Sequence, residues 1–303
     1  MKSLVVGLGV QGQKRRKVLQ SHYVGSVDPV ITEADFTHIQ QVPLDRYDSV
    51  FCCVPDLSKY QVIDYCAKHS KHLLLEKPLI AETTEKLHLL EELYNKNHLY
   101  LQTAYNHRFE PNIVRIKTLL DQNRIGRIYT VRIFDGNGTS ALIAQSPWRN
   151  SGYGVGVDLG SHILDMLHYW FGCLTFSSHS LKKNYETNCD DFFAFIGATQ
   201  NSLLVTFQAS YLSWKNTFHC EISGSLGTIV MDSFCKWTDS ILELRTRVFP
   251  SGIPSVQTFT EPYGDLTWIK EQETFFYNIS KHARTDLTKD RHIQQTFQDL
   301  GLI

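Results

Sequence analysis

An apolar run ends on a charged pair and a proline between Leu73 and Pro78, where the chain reads Leu-Leu-Leu-Glu-Lys-Pro. A strand buried in a parallel sheet is almost entirely apolar, and proline lacks the backbone donor that would extend it. Glu76 and Lys77 are therefore predicted at the carboxyl end of a central strand, the edge where open α/β sheets bind ligands. A lysine ammonium there can hydrogen-bond a substrate hydroxyl and stabilise negative charge developing on it. The alternative is a solvated lysine at a strand end.

A second group of reactive side chains lies between the two halves of the chain. Read as a helix beginning near Val157, the sequence places Asp158, His162, Asp165 and Tyr169 on one stripe. The imidazole pKa suits proton transfer near neutral pH, and Asp158, one turn earlier, can hold its tautomer. The alternative is a structural histidine with acids at a helix start. No third ligand group stands out for zinc, so no metal is predicted.

The first twelve residues contain a glycine turn between a strand and a helix. Gly7, Gly9 and Gly12 follow the apolar strand Ser3 to Leu8, and Asp28 ends the next apolar run. In this context the glycines allow a tight turn, close approach to a pyrophosphate and helix–strand packing. The helix N-terminus attracts phosphate, and the carboxylate can accept hydrogen bonds from the adenosine ribose. The alternative is a glycine loop and a turn aspartate without a ligand.

The elements that would position these residues change character along the chain. The first hundred residues alternate apolar strands with helices, which predicts a parallel, doubly wound sheet. From about Phe176 strands dominate, with the period-two alternation of half-buried antiparallel strands, and the last forty residues return to helix. The predicted fold is an α/β Rossmann domain followed by an α+β domain with a large open, mostly antiparallel sheet. The predicted domains are residues 1–107 and 108–303.

Composition excludes several classes of protein. The chain has 30 Lys and Arg against 31 Asp and Glu, a formal net charge of -1 that predicts neither a nucleic-acid nor an anionic-membrane partner. No apolar run approaches the length of a membrane span, and the N-terminal apolar stretch is too short for a signal peptide. Seven scattered cysteines lack metal-ligand spacing. Reduced thiols and a cytoplasmic location are therefore expected.

Taken together, these motifs resemble those of the Gfo/Idh/MocA family of NAD(P)-dependent oxidoreductases over essentially the whole chain. The resemblance rests on five elements: Gly7-x-Gly9-x-x-Gly12, Glu76-Lys77-Pro78, Tyr105-Asn106-His107-Arg108-Phe109-x-Pro111, Trp148-Arg149, and Asp158-x-x-x-His162-x-x-Asp165. It implies hydride transfer at a ring carbon of a sugar, an inositol or a nucleotide-linked sugar. It also implies that Lys77 and His162 are catalytic with help from Asp158. The expected substrate contacts are Lys77, Arg108, Asp158, His162 and Asp165.

The resemblance also implies a nicotinamide cofactor and a homo-oligomer. The expected cofactor contacts are Gly7, Gly9, Val10, Gln11, Gly12, Asp28, Pro55, Glu76, Lys77, Asn106, Trp148 and Arg149. NAD is favoured, with NADP possible, because Asp28 would repel a 2′-phosphate and Pro29 to Thr32 bring no cation. In the family the open sheet commonly forms the dimer face, which predicts a homodimer or homotetramer.

One stretch departs from the family pattern, and one function of another class remains open. The family often has Pro-Asn-x-x-His where this chain has Pro55-Asp56-Leu57-Ser58-Lys59. The alternative function is a non-catalytic NAD(P)-binding sensor of the same fold. The predicted partner is a small polyhydroxylated ring. A nucleotide-linked sugar is favoured because the Trp148 ring face and the donors Asn106, His107, Arg108 and Arg149 suit an anionic or carboxylated portion.

Overall fold

The structure is a computed structural model that describes residues 1–303. The strands, numbered in chain order, are β1 (Ser3–Val6), β2 (Tyr23–Val27), β3 (Ser49–Cys52), β4 (His72–Glu76), β5 (Leu101–Ala104), β6 (Ile128–Gly136), β7 (Phe176–Lys183), β8 (Phe192–Thr199), β9 (Leu204–Ser210), β10 (Thr217–Gly224), β11 (Gly227–Asp232), β12 (Ser240–Val248) and β13 (Gly252–Glu261). The α-helices are α1 (Val10–Leu19), α2 (Asp56–Lys68), α3 (Thr84–Lys96), α4 (Pro111–Asp121), α5 (Ser140–Ala144), α6 (Pro147–Asn150), α7 (Val155–Phe171), α8 (Thr267–Ser280) and α9 (Thr288–Asp299).

The chain divides into two compact units that do not follow its linear order. Unit 1 comprises Met1–Asn106 and Thr267–Gln295, and unit 2 comprises His107–Leu266 and Thr296–Ile303. The sequence prediction placed everything after residue 107 in one domain, and the structure differs for residues 267–295. Phe275 of α8 packs edge-to-face on Phe51 of β3, with ring centroids 5.6 Å apart. This aromatic contact ties α8 to the core of the first sheet.

Unit 1 is built on a five-stranded parallel sheet with the order β2-β1-β3-β4-β5. The centre of β4, Leu73 to Leu75, is at most 1% exposed, as expected for a strand covered on both faces. The strand order reverses between β1 and β3, so their carboxyl ends form the switch point where such sheets bind ligands. The expected alternation fails once, because two short 3₁₀ turns, Ile39–Gln41 and Leu44–Arg46, replace a helix between β2 and β3.

Unit 2 is built on an eight-stranded sheet with the order β13-β12-β11-β10-β6-β9-β8-β7. Every pairing is antiparallel except that of β6 with β9. Helix α7 packs on β6, β8 and β9, and the Trp170 indole near its end donates to the carbonyl of Ile113 at 3.2 Å. The predicted fold class, a Rossmann sheet followed by a large open sheet, is confirmed.

Candidate active site

The glycine turn between β1 and α1 has the backbone that its three glycines require. Gly7 has φ +88°, and a Cβ there would lie 2.7 Å from the carbonyl carbon and oxygen of Cys53. A Cβ on Gly12 would lie 1.9 Å from the carbonyl oxygen of Gly7, so only glycine lets α1 start this close to the strand. A Cβ on Gly9 would meet nothing within 4 Å, which leaves this backbone open to a ligand. Val10 and Gln11 form the exposed first turn of α1.

Asp28 follows β2 and braces the glycine turn. Its carboxylate accepts hydrogen bonds from the backbone N–H of Leu8 at 2.8 Å and from those of Val30 and Ile31 at 2.9 Å. Burial opposes ionisation of the carboxyl, but these N–H donors outweigh that effect and hold the pKa of Asp28 below its ordinary value. Asp28 is therefore an anion beside the turn at neutral pH.

An open depression of about 720 Å³ lies beside the turn. Its lining residues are Leu8, Gly9, Val10, Gln13, Arg16 and the segment 30–33. The exposed N-terminus of α1, the open Gly9 backbone and the Asp28 anion are the parts with which a Rossmann unit binds a dinucleotide. The residues present therefore fit the cofactor that the sequence predicts.

The charged end of β4 lies at the carboxyl edge of the same sheet. Glu76 is the last residue of the strand, and Lys77 follows it with a half-buried side chain. Arg15 of α1 pairs with the Glu76 carboxylate, with Nη2 2.7 Å from Oε1. Glu76, an expected cofactor contact, thus has a structural partner in the chain itself.

Two further expected cofactor contacts lie in unit 1. Pro55 is the N-cap of α2, after β3 at the carboxyl edge of the sheet. Asn106 is buried, and its amide donates to the hydroxyl of Thr267 at 2.9 Å. Their backbone and side-chain positions are thus fixed by elements of unit 1 itself.

Helix α7 carries the predicted polar stripe, and it begins at Val155, two residues earlier than expected. His162 is 6% exposed and Asp165 is fully buried. Arg108 makes a two-pronged contact with Asp165, from Nε to Oδ2 at 3.0 Å and from Nη2 to Oδ1 at 2.6 Å. The two expected substrate contacts Arg108 and Asp165 therefore form one oriented ion pair, a strong geometry for such groups.

Asp158, one turn before His162, has its own oriented partners. The phenol of Tyr211 donates to Oδ2 of Asp158 at 2.8 Å, and Nη2 of Arg149 lies 3.4 Å from the same oxygen. Burial raises the pKa of Tyr211, and the Asp158 carboxylate adds to that rise, so the phenol remains a donor at neutral pH. Arg149 belongs to α6 with Trp148, whose indole is 59% exposed.

The structure also brings into this cluster Tyr211 and Lys236, which have no role in the sequence prediction, and it pairs His107, predicted only as a donor for an anionic part of the substrate, with His162. His107 stacks on His162 with ring centroids 3.8 Å apart, and the ammonium of Lys236 contacts Nε2 of His107. Because an ammonium only donates, that imidazole nitrogen is the unprotonated one. Tyr211 is 53 residues from Asp158 and Lys236 is 129 residues from His107, so no local spacing pattern could reveal either contact.

The turn that holds Lys236 is anchored to the segment carrying His107. The backbone N–H and the thiol of Cys235 both lie 3.0 Å from the carboxylate of Glu110. Phe234 stacks on Phe218 with centroids 4.1 Å apart, and Lys236 lies over the Trp237 ring at 4.7 Å. Burial raises the pKa of Glu110, while the Cys235 donors oppose that rise. These contacts fix the turn through Cys235 and Phe234.

Unit 1 thus has the features of a dinucleotide-binding Rossmann domain. Unit 2 has an open sheet and carries a cluster of carboxylates and imidazoles that neighbouring side chains hold in place. A model of the GFO/IDH/MocA C-terminal domain matches residues 113–230. The oxidoreductase YrbE of Bacillus subtilis is 31% identical over 128 residues, which cover 41% of this chain and 36% of that protein. Myo-inositol 2-dehydrogenase of Thermotoga maritima is 26% identical over 242 residues, which cover 77% of this chain and 69% of that protein. Over residues 113–230 the chain is thus similar to the C-terminal domain of the Gfo/Idh/MocA family.

Solved structures show the same fold at lower identity. Levoglucosan dehydrogenase in complex with NADH matches with a TM-score of 0.84 at 16% identity, covering 99% of this chain and 96% of that one. UDP-N-acetylglucosamine 3-dehydrogenase from Acidithiobacillus ferrooxidans matches with a TM-score of 0.80 at 18% identity over the same shares. By sequence, the chain spans about a third of the length of YrbE and about two thirds of that of the inositol dehydrogenase. None of its helices has both the length and the apolar character needed to cross a membrane.

Proposed function

We propose that the protein is an NAD(P)-dependent dehydrogenase that acts on a ring carbon of a sugar, an inositol or a nucleotide-linked sugar. The observation that carries the proposal is the buried imidazole of His162, on a helix whose two carboxylates, Asp158 and Asp165, are each paired with an arginine. A histidine so placed can exchange a proton with a hydroxyl, and the acids beside it suit a substrate with several hydroxyl groups. The sugar and inositol dehydrogenases among its relatives support the same class of substrate.

The proposed oxidation divides its work among residues of the chain. His162 accepts the proton of the substrate hydroxyl, and the ammonium of Lys77 stabilises the alkoxide as it develops. When bound, the nicotinamide supplies the acceptor for the hydride that leaves the carbon, so the alcohol becomes a carbonyl. Asp158 orients His162, while the Arg108–Asp165 pair binds neighbouring hydroxyls. In the reverse direction His162 returns the proton to the oxygen.

We propose NAD as the preferred cofactor, with NADP as the alternative. The Asp28 anion lies beside the glycine turn and would repel a 2′-phosphate, and Val30 to Thr32 bring no cation to the depression. Arg16 also lines it, but its guanidinium lies 5.3 Å over the Tyr23 ring. Arg16 is the one cation among these lining residues, and NADP remains the alternative for that reason.

We further propose that the open sheet of unit 2 forms the interface of a homodimer or homotetramer. Its face away from α7 carries the exposed apolar side chains Ile196, Leu204, Ile241 and Val256. Burying these side chains against a second copy would remove apolar area from water. Light scattering coupled to size-exclusion chromatography tests the state, and a monomer at micromolar concentration would contradict it.

Turnover on a panel of free hexoses, inositols and nucleotide sugars, followed by nicotinamide absorbance, tests the proposed activity. We expect productive turnover with at least one polyol. Nucleotide sugars are included because Arg108 and Arg149 could contact the anionic portion of such a substrate. Activity confined to small 2-hydroxy acids or apolar carbonyls would contradict the polyol class. Tight cofactor binding without turnover on any alcohol would instead support the alternative function, a non-catalytic NAD(P)-binding sensor.

A further inference from the structure

Two buried cations contact the residues on either side of Lys77. The first is Arg15, which is 1% exposed and lies between two carboxylates. Its Nη2 is 2.7 Å from Oε1 of Glu76 and 2.6 Å from Oε2 of Glu271. Arg15 thereby fixes the side chain of the residue directly before Lys77.

Arg15 is itself fixed from the other side. Its guanidinium lies 4.1 Å from the centroid of the Trp268 ring, and Glu271 is fully buried one turn further along α8. A guanidinium stays charged in proteins, and its planar fork suits both carboxylates and aromatic faces. The end of β4 is therefore linked through Arg15 to two helices of unit 1, α1 and α8.

The second cation is Lys59 of α2, which is 3% exposed. Its ammonium donates to the carbonyl of Pro78 at 2.7 Å and pairs with Oδ1 of Asp56, also at 2.7 Å. Lys59 and Asp56 are the two residues at which this chain departs from Pro-Asn-x-x-His. The two changes therefore compensate each other, because the Asp56 carboxylate neutralises the buried Lys59 ammonium that contacts the backbone just after β4.

We propose that Arg15 and Lys59 are positioning residues that set where the Lys77 ammonium lies. One fixes the residue before Lys77 through its side chain, and the other fixes the residue after it through its carbonyl. The inference rests on the catalytic role proposed for Lys77, because a long flexible side chain reaches a fixed point only from a fixed backbone. A displacement of about 1 Å at a reacting group can cost about 100-fold in rate.

The kinetic test compares Lys59→Met, Lys59→Arg and the control Lys17→Met, which removes an exposed lysine from α1. We expect Lys59→Met to lower kcat by about 10- to 100-fold, with NAD affinity changed by less than about twofold. Lys59→Arg can still donate to the Pro78 carbonyl and should recover most of the rate. A loss of thermal stability in Lys59→Met with kcat unchanged would overturn the inference.

A second readout does not require activity. Lysines are reductively methylated with carbon-13, and the Lys77 signal is assigned by its loss in Lys77→Arg. We expect Lys59→Met and Arg15→Gln to move this signal, whereas Lys17→Met leaves its position unchanged. If the wild-type protein oxidises no polyol but the signal moves, the proposed function fails and the positioning stands. If neither variant moves it, the positioning is refuted, whatever the activity.

Discussion

The imidazole rings of His107 and His162 stack face to face in unit 2, with centroids 3.8 Å apart and planes 15° from parallel. The Lys236 ammonium contacts Nε2 of His107, so its charge fixes the tautomer of the imidazole that stacks on His162. The proposed base, His162, is thus packed against the imidazole of His107, and His107 is in turn contacted by the ammonium of Lys236.

Replacement of Lys236 by methionine should loosen this arrangement. Without the ammonium, His107 can change tautomer and position, so we expect kcat to fall by about 10-fold on the substrate identified in the panel. Lys215→Met removes an exposed lysine from the same unit and serves as the control. Equal kcat in the two variants would show that Lys236 does not support His162.

The glycine turn offers a matched pair of substitutions. Gly12→Ala should destabilise the protein, because its Cβ would lie 1.9 Å from the Gly7 carbonyl oxygen, whereas Gly9→Ala meets nothing within 4 Å. Gly9→Ala should therefore keep its thermal midpoint yet bind NAD about 10-fold more weakly or worse, because the methyl group occupies the approach to the pyrophosphate. Thermal melts and calorimetric titration check both, and unimpaired NAD binding by Gly9→Ala would place the cofactor elsewhere.

Asp28 should set the choice of cofactor. Wild-type protein is expected to bind NAD more tightly than NADP, and Asp28→Asn should narrow that preference by about 10-fold, because one repulsive charge is lost while an acceptor remains. Calorimetric titration of both cofactors measures the ratio. Tighter binding of NADP by the wild type would contradict the assignment.

The buried carboxyl of Glu271 predicts a specific pH dependence of stability. Burial raises its pKa to about 7, although Arg15 opposes that rise. At pH values between the pKa of Glu271 in the unfolded chain and this raised pKa, the folded protein binds more protons at this carboxyl than the unfolded chain does. The free energy of unfolding should therefore fall as the pH rises toward 7. Glu271→Gln should remove this component, whereas Glu273→Gln on the exposed side of α8 should keep it. Urea unfolding across that pH range measures the difference, and parallel profiles for all three proteins would refute it.

The sequence predicts the parts of these sites that local patterns encode. The glycine turn, the charged end of β4 and the stripe from Asp158 to Asp165 all follow from spacing within one or two elements. It does not predict Lys236 or the Arg15–Glu271 pair, because residues distant in sequence meet there only through tertiary packing. Nor does it predict that residues 267–295 join unit 1, since helical periodicity shows an apolar face but not the partner that covers it.

A kinetic double-mutant cycle on Lys77 and His162 tests the proposed mechanism, in which both residues act on one substrate hydroxyl. Lys77→Met and His162→Asn should each lower kcat/KM by about 100-fold or more on the substrate from the panel. Because residues that act as a unit are strongly non-additive, the double variant should be little worse than the more damaged single variant. Losses that multiply in the double variant would contradict the claim and show that Lys77 and His162 act independently.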